Sequence, residues 1–329
     1  MTDSNNIIDP NDLEKLGYCM IRQSVITNLL SMLKANKENT TVDLNGKATI
    51  TQGDITLTVK NYQNLTGLKT STFQLLDMLI ADFTDKGNPT VKFSLKDYMN
   101  KRGLKDVKEA RKQVKDDLEL LFNLSVNFTL NTDGKPRKRT IENFIDMRII
   151  INKGIVHGIV FATFEPNFCS MLQKSPVMVF PTLLWEVNNK YNPNTYYLLR
   201  KISTHKNMNY GKKNEDVIRV QTLLNSSPFL LTYEKVKLND RNFSKHIIKP
   251  FERDLNACSD YFTWGYCHKG NTPLSDEELQ NLSYFDFAKC LVKFDWKNYP
   301  KQKRLEQKKE RLLKIKNEKL GGKLSQKVE

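Results

Sequence analysis

The stretch "DVKEARKQVKDDLELLFN" (106–123) decides the fold class, because the segments on both sides of it complete a known order of elements. Its apolar residues recur at helical spacing, which predicts a long amphipathic helix. Upstream, "TVKFSL" (90–95) predicts a strand and "SLKDYMNKRGL" (94–104) a short helix. Downstream, residues 124–131 and 141–152 predict two strands that flank an exposed turn. With a helix in front, this order is that of a winged helix.

That preceding helix is predicted over residues 68–84, where apolar residues recur at helical spacing. A Gly-Asn-Pro turn at 87–89 should end it. A further hairpin over residues 154–166 is expected to extend the sheet. Residues 167–188, which contain two prolines, are interpreted as a connector.

The same order then repeats in the second half of the chain. A proline at position 250 should kink the repeated long helix near Ile247 or break a hydrogen bond there. The repeated elements are a helix, a short helix, a long helix, a strand, a loop and a returning strand, predicted at 192–209, 218–227, 240–260, 261–268, 269–284 and 285–297.

The two ends of the chain lie outside this repeat. A flexible start precedes an amphipathic helix at residues 20–36 and a β-hairpin with an Asn45-Gly46 turn. After Pro300 the sequence predicts a basic helix as far as Leu320 and then disorder. We therefore predict an α+β protein with two tandem winged-helix domains, an N-terminal extension and a basic C-terminal tail. The predicted boundaries are 1–64, 65–187, 188–300 and 301–329.

Composition narrows the class of protein. No stretch approaches the ~20 apolar residues of a membrane span, and the polar, acidic N-terminus is unlike a signal peptide, so we expect a cytoplasmic protein. The five cysteines are scattered and lack CxxC spacing, which favours reduced thiols over disulfides. Cys267 and His268 are adjacent, but the sequence around them does not supply four zinc ligands at a familiar spacing. We expect no metal and no cofactor.

The charge balance indicates an anionic partner. Lys and Arg total 52 against 37 Asp and Glu, which gives a net charge of +15. A basic protein of this kind usually binds nucleic acid, although solubility alone could also explain the charge. The distribution of the cations decides between these interpretations.

In the first long helix four cations share one face, while the apolar set Val107, Ala110, Val114, Leu118 and Leu121 points elsewhere. The turn at 132–140 adds four cations within five residues. A helix in the major groove of duplex DNA with a basic turn on the neighbouring backbone would use such surfaces. The candidate DNA contacts of this half are Lys108, Arg111, Lys112, Lys115, Lys135, Arg137, Lys138 and Arg139.

In the second long helix cations recur every four residues, with an amide and an imidazole beside them. Arg and Lys can pair with guanine and Asn with adenine, so this set suits base recognition as well as phosphate binding. Three lysines near the first helix of this half are candidate phosphate contacts. The candidate DNA contacts of this half are Lys206, Lys212, Lys213, Arg241, Asn242, Lys245, His246, Lys249 and Arg253.

Enzyme classes find little support in the sequence. Rolling-circle nicking enzymes need paired histidines for a metal and a tyrosine nucleophile; Tyr196 and Tyr197 are present, but the four histidines are isolated. Both tyrosines are expected in the core. The GxxxxGK[ST] phosphate loop is absent, and the carboxylates Asp116, Asp117 and Glu119 are interpreted as a solvated face. We expect a protein that is not an enzyme.

Three stretches carry a resemblance to a known family: 192–215, 218–224 ("IRVQTLL") and 247–258 ("IIKPFERDLNAC"). They resemble the second winged-helix module of theta-type, iteron-binding plasmid replication initiators of low-GC Gram-positive bacteria. The similarity extends over about residues 65–300 and is strongest over 188–300, while residues 1–64 fit the family pattern poorly. The positions that match the family's DNA contacts are Arg241, Asn242, Lys245, Lys249 and Arg253.

The resemblance implies binding to direct repeats in double-stranded DNA at a plasmid origin, local melting of the duplex and recruitment of a host helicase or its loader. It also implies a homodimer that represses its own gene and a monomer that initiates. A winged-helix transcription regulator without a role in initiation remains an alternative, as does a rolling-circle nicking enzyme.

Overall fold

The chain forms a mixed helix and sheet structure. A computed structural model describes residues 10–23, 40–42, 47–52, 55–60, 68–130, 145–238 and 242–300. The predicted turn at 132–140, the predicted tail and most of the helix predicted at 20–36 lie outside these residues.

The first unit is built from helices and strands whose ends are set by local signals. Helix α2 ends at Gly87, which has a φ of 68°, and helix α3 starts with a capping box between Ser94 and Asp97. Asp106 caps the next helix by accepting from the backbone N–H of Glu109 at 2.8 Å. These elements, which confirm the predicted helices and strand, are α2 (Thr70–Lys86), β5 (Thr90–Ser94), α3 (Leu95–Arg102) and α4 (Val107–Asn123).

Two further strands complete this unit, β8 (Ile150–Val156) and β9 (Ile159–Phe164), joined by a turn at His157-Gly158. They form an antiparallel sheet of order β5-β9-β8. The predicted hairpin therefore extends the sheet of β5, whereas the strands predicted at 124–131 and 141–152 pair in a different sheet. The strand predicted at 141–152 is also interrupted at Ile149, where the chain passes from one sheet to the other.

The strands that follow the long helix join the N-terminal part of the chain. They are β6 (Ser125–Leu130) and β7 (Ile145–Arg148). Together with three earlier strands they form an antiparallel sheet of order β2-β3-β4-β6-β7. The predicted boundary at residue 64 therefore falls within one sheet. The earlier strands are β2 (Thr40–Val42), β3 (Ala48–Gln52) and β4 (Ile55–Lys60).

The N-terminus pairs with the segment predicted as a connector. Strand β1 (Tyr18–Arg22) runs antiparallel to β10 (Val177–Pro181). The predicted start of a helix at residue 20 is therefore wrong, because Met20 to Arg22 form ladder hydrogen bonds with a strand far away in the sequence. The other elements of these segments are α1 (Pro10–Lys15), α5 (Pro166–Lys174) and α6 (Leu183–Glu186).

The second unit, like the first, starts with a helix, a strand and a short helix and contains a three-stranded sheet. Its sheet has the order β11-β13-β12, so the last strand again lies in the centre. Its elements are α7 (Thr195–Asn209), β11 (Val217–Arg219), α8 (Val220–Asn225), α9 (Tyr233–Leu238), a π-helical turn (Ser244–Ile248), α10 (Lys249–Asn256), β12 (Phe262–Cys267), α11 (Asp276–Gln280), α12 (Tyr284–Lys289) and β13 (Leu291–Trp296).

Three predictions in this unit need correction. Residues 218–219 are a strand, since they pair with β13, and the short helix starts only at Val220. The loop predicted at 269–284 contains α11, which a capping box between Ser275 and Glu278 starts. The returning strand predicted from residue 285 starts at Leu291, because Ser283 caps α12 in front of it.

One continuous apolar core joins both units. Helix α2 is buried along almost its whole length and meets α7, where Phe73 stacks on Tyr196 with ring centroids 6.5 Å apart. Burial of this much aromatic surface between the units fixes them against each other.

Candidate nucleic-acid interface

Helix α4 presents the first cationic face, defined as Lys108, Arg111, Lys112 and Lys115. All four side chains are exposed, and none of them forms an ion pair with a carboxylate of the described residues. The opposite side of the helix is buried through Ala110, Val114, Leu118 and Leu121. Val107 departs from the predicted apolar set, being 55% exposed at the first helical position.

A buried carboxylate sets the rotation of α4. Asp117 is 1% exposed and accepts hydrogen bonds from the hydroxyls of Ser71 (3.1 Å) and Thr72 (2.6 Å) on α2. Burial raises the pKa of Asp117, and the two hydroxyls oppose this effect. The interpretation of Asp117 as part of a solvated face is therefore wrong. Its contacts hold the first cationic face outward.

The predicted basic turn, with Lys135, Arg137, Lys138 and Arg139, lies outside the described residues. The turn that the structure places between the two strands of the first unit's sheet is His157-Gly158, where both residues have positive φ (48° and 78°). Its neighbours Val156 and Ile159 are exposed. This hairpin tip is apolar, so it supplies no cluster of cations beside α4.

The second cationic face is defined as Asn242, Lys245 and Lys249. All three side chains are exposed, and the two lysines form no ion pair with any described carboxylate. Asn242 also stabilises the start of its helix, since its Oδ1 accepts from the N–H of Lys245 at 3.2 Å. His246 is half-buried beside this face, and Arg241 lies outside the described residues.

A π-helical turn runs through this second face. The N–H of Lys249 donates to the carbonyl of Ser244, five residues back, directly before Pro250. Proline has no N–H to donate, and its ring crowds the preceding turn. The backbone hydrogen bonds there therefore span five residues in place of four. The disturbance predicted near Ile247 is confirmed.

Arg253 forms an ion pair with a buried carboxylate. Its guanidinium donates to Oδ1 of Asp254 at 3.0 Å (Nε) and 2.9 Å, and Asp254 is fully buried. The other oxygen of Asp254 accepts from the backbone N–H of Asn194 at 3.0 Å and from its Nδ2 at 2.8 Å. A buried carboxylate needs such compensation. Asp254 therefore links α10 to the start of α7, and Arg253, whose side chain is 51% exposed, supplies the compensating charge.

Lys206 is also engaged inside the protein. Its Nζ lies 2.7 Å from Asp216 and 3.4 Å from Glu215, and its side chain is 8% exposed. It also lies over the ring of Tyr299 at 5.4 Å. Its assignment as a phosphate contact is not supported by this placement, because the ammonium is covered and neutralised.

Lys206 instead fixes a loop that carries two other candidates. Lys212 and Lys213 are exposed on the segment 210–216, which the ion pairs of Lys206 hold against the end of α7. Lys212 itself donates to Oδ1 of Asn209 at 3.2 Å. These two lysines are placed where an anion could reach them.

Sequence reasoning missed helix α9, which precedes the second cationic face and exposes Lys237. Val236 is the buried residue of this helix. A helix of six residues is too short to show a helical period, so it could not be recognised from the sequence.

The tyrosines considered as nucleophiles are buried between the units. The Tyr196 hydroxyl donates to Asp77 at 2.7 Å, and the Tyr197 hydroxyl lies 3.3 Å from that of Thr70. Burial raises the pKa of both phenols, and Asp77 adds to this effect at Tyr196. The expectation that they belong to the core is confirmed.

A buried ion pair joins α2 to α7 at the same place. Arg200 donates to both oxygens of Asp77, and its other terminal nitrogen donates to Oε1 of Gln23 at 2.8 Å. Burial alone would lower the pKa of Arg200, but Asp77 and Tyr196 raise it above its ordinary value. Both members of the pair are almost fully covered, so the relative orientation of the units depends on a specific polar contact.

Sites of two other kinds are absent from the part of the chain that the structure describes. None of its helices is long and apolar enough to cross a membrane. No three or more of its His, Cys, Asp and Glu side chains are grouped as metal ligands.

Comparison with known proteins gives structural similarity without sequence relatives. No protein-family model and no curated protein matches the chain. The crystal structure of the Pi initiator protein in complex with iteron DNA is similar with 12% identity and a TM-score of 0.44, over 85% of this chain and 96% of that chain. Domains 2 and 3 of RctB are similar with 11% identity and a TM-score of 0.43, over 82% of this chain and 98% of that chain. A second structure of RctB domains 2–3 gives 12% identity and a TM-score of 0.43, over 81% and 96% of the two chains.

Proposed function

We propose that the two units are winged-helix modules and that the chain is a replication initiator that binds direct repeats of duplex DNA at a plasmid origin. One observation carries this proposal. Each unit contains a three-stranded sheet whose last strand is central, and one helix of each unit carries an exposed cationic face. Helices of this kind enter the major groove in winged-helix and related motifs.

The chemistry of the two faces suits different tasks. The first cationic face has four cations and no neutral hydrogen-bonding group, which fits contact with phosphates. The second combines Asn242 with Lys245 and Lys249, a set that can distinguish adenine and guanine in the major groove. We assign base recognition to the second unit and phosphate binding chiefly to the first.

The resemblance of residues 192–215, 218–224 and 247–258 to plasmid replication initiators supports initiation over transcription control alone. It brings with it the wider proposal of a cytoplasmic protein that melts the origin, recruits a host helicase or its loader, and represses its own gene as a dimer. The buried hydroxyls of Tyr196 and Tyr197 support a role without strand cleavage, since a nucleophile must reach the phosphate.

Binding to duplexes that carry the direct repeats next to the gene tests the proposal. Lys245→Ala with Lys249→Ala should weaken specific binding by about 1–3 kcal/mol per base contact and reduce discrimination against a scrambled duplex. Lys108→Ala with Lys112→Ala should weaken both duplexes alike and lower the salt slope by about 0.9 for each phosphate that the variant no longer neutralises. Lys174→Ala, on the exposed end of α5, is the matched control.

Two outcomes would contradict the proposal. An affinity that does not change between low and moderate salt would rule out phosphate contacts on these faces. Equal losses on repeat and scrambled DNA for the second pair would reassign it from bases to phosphates. A plasmid whose replication depends on this gene separates an initiator from a regulator, because only an initiator would lose plasmid maintenance with the same substitutions.

A further inference from the structure

An acidic cleft lies between the N-terminal segment and the first unit. It has a volume of about 660 Å³ and is bounded by α1, β1, α2, α3 and α6. Its floor is apolar and aromatic, with Met78, Phe93, Tyr98 and Trp185 among the lining residues. A cleft of this size accommodates several side chains of a peptide.

The lining of this cleft carries an excess of negative charge, with five carboxylates against Lys86, Lys92 and Lys101. Glu14, Asp85 and Glu186 are exposed and form no ion pair with any described cation. The other two lining carboxylates already interact with groups of the protein, since Asp82 pairs with Lys86 and Asp97 caps α3. The chain has a net charge of +15, so a negatively charged surface is unusual in it. Such a surface is suited to a cationic ligand.

The floor of the cleft adds apolar contacts. Lys101 already lies over the ring of Trp185, with its Nζ 5.0 Å from the centroid. That indole face is already occupied by a lysine of the protein, so the floor offers a ligand mainly apolar contact through Met78 and Phe93. A ligand with both cations and aliphatic carbons would therefore satisfy the carboxylates and the floor together.

The described chain ends beside this cleft. Tyr18, one of its lining residues, packs edge-on against Tyr299 with ring centroids 5.9 Å apart. Pro300 is buried. The sequence then continues as "KQKRLEQKKERLLKIKNEKLGGKLSQKVE" (301–329), with eleven Lys and Arg, four Glu and several leucines.

We infer that the acidic cleft binds the basic segment 301–329 of the same chain. The segment has the opposite charge, carries the aliphatic side chains that the floor accepts, and begins one aromatic ring away from the cleft. A tether this short gives an effective concentration in the millimolar range, so weak ion pairs are sufficient for occupancy. At ~3.3 Å per residue its reach far exceeds the cleft. The inference goes beyond the proposed function and does not depend on it.

Trypsin cleavage within residues 301–329 of the full chain tests the inference, followed by mass spectrometry at low salt. Glu14→Gln, Asp85→Asn and Glu186→Gln combined should increase the cleavage rate about five- to tenfold, as expected for the loss of three exposed ion pairs. High salt should increase it similarly in the wild type. Glu277→Gln, an exposed carboxylate outside the cleft, is the matched control and should leave the rate unchanged.

Carbodiimide cross-linking of the wild type shows where the segment lies. Links from its lysines to Glu14, Asp85 or Glu186 are expected, and links only to carboxylates elsewhere would overturn the inference. Equal cleavage rates in the wild type and the triple variant would also overturn it. A mixture of isotopically labelled and unlabelled chains identifies the source, because links between labelled and unlabelled chains would assign the occupant to a second copy instead.

Discussion

Replacing Asp77 by alanine should lower the free energy of unfolding by about 3–5 kcal/mol, the usual cost of removing one partner of a buried ion pair. Its carboxylate is 2% exposed and Arg200, its partner on α7, is 5% exposed. Without Asp77 the guanidinium keeps a hydrogen bond only to Gln23, while the Tyr196 hydroxyl loses its acceptor. The missing acceptor for this phenol is part of the cost.

Urea unfolding of matched variants measures this effect. Asp77→Leu combined with Arg200→Met removes both charges and retains apolar volume, so it should recover most of the loss, as replaced buried ion pairs often do. Asp82→Ala, at a partly exposed ion pair on the same helix, should cost about 0–1 kcal/mol. A loss below about 1 kcal/mol for Asp77→Ala, or a double variant as unstable as the single one, would refute the reasoning.

Two further predictions concern the first unit. Burial raises the pKa of Asp117 above 3.8, so the unfolded chain releases this proton at lower pH than the folded one, and stability falls as pH rises between the two pKa values. Asp117→Asn should remove this pH dependence. In urea unfolding from pH 3 to 7, the free energy of unfolding of the variant should rise relative to that of the wild type as pH rises; parallel pH profiles would contradict the prediction. Gly154→Ala should cost about 1–3 kcal/mol, because its Cβ would lie 2.6 Å from the Phe161 ring, whereas Gly265→Ala meets no atom within 4 Å and is the control. Equal thermal stability of these two variants would show that the ring moves without cost.

The elements that were predicted correctly from the sequence are those whose ends are set by interactions between neighbouring residues. Helix α2 ends at Gly87 because glycine adopts positive φ without strain, and α3 lies between the capping box of Ser94 and the turn at Gly103. The long helix was recognisable from its buried stripe alone. Ser275 and Ser283 give similar capping signals within the predicted loop at 269–284, and they start α11 and α12.

Strand partners could not be predicted in the same way, because they depend on residues far apart in the chain. Strand β1 meets β10 across more than 150 residues, and the N-terminal strands join β6 only after three helices have intervened. An alternating segment shows that a strand exists but not which edge it will occupy. The hairpin predicted at 154–166 pairs with β5, about 60 residues earlier in the chain, and not with the strands just before it.

Sequence patterns are also limited in predicting which cations of the candidate site are available to a ligand. Helical spacing identified which cations share a face, and it held for Lys108, Arg111, Lys112 and Lys115 because the opposite side of α4 is apolar. Spacing could not show whether a cation is already neutralised. Lys206 meets two carboxylates of a folded loop, and Arg253 meets the carboxylate of the next residue, whose complete burial no pattern of neighbours reveals. Lys206 is covered and paired with two partly exposed carboxylates, whereas Arg253 is paired with a buried carboxylate although half of its own side chain stays exposed. The cations of the two exposed helix faces form no ion pair with a described carboxylate, which is why these faces are the places to test first.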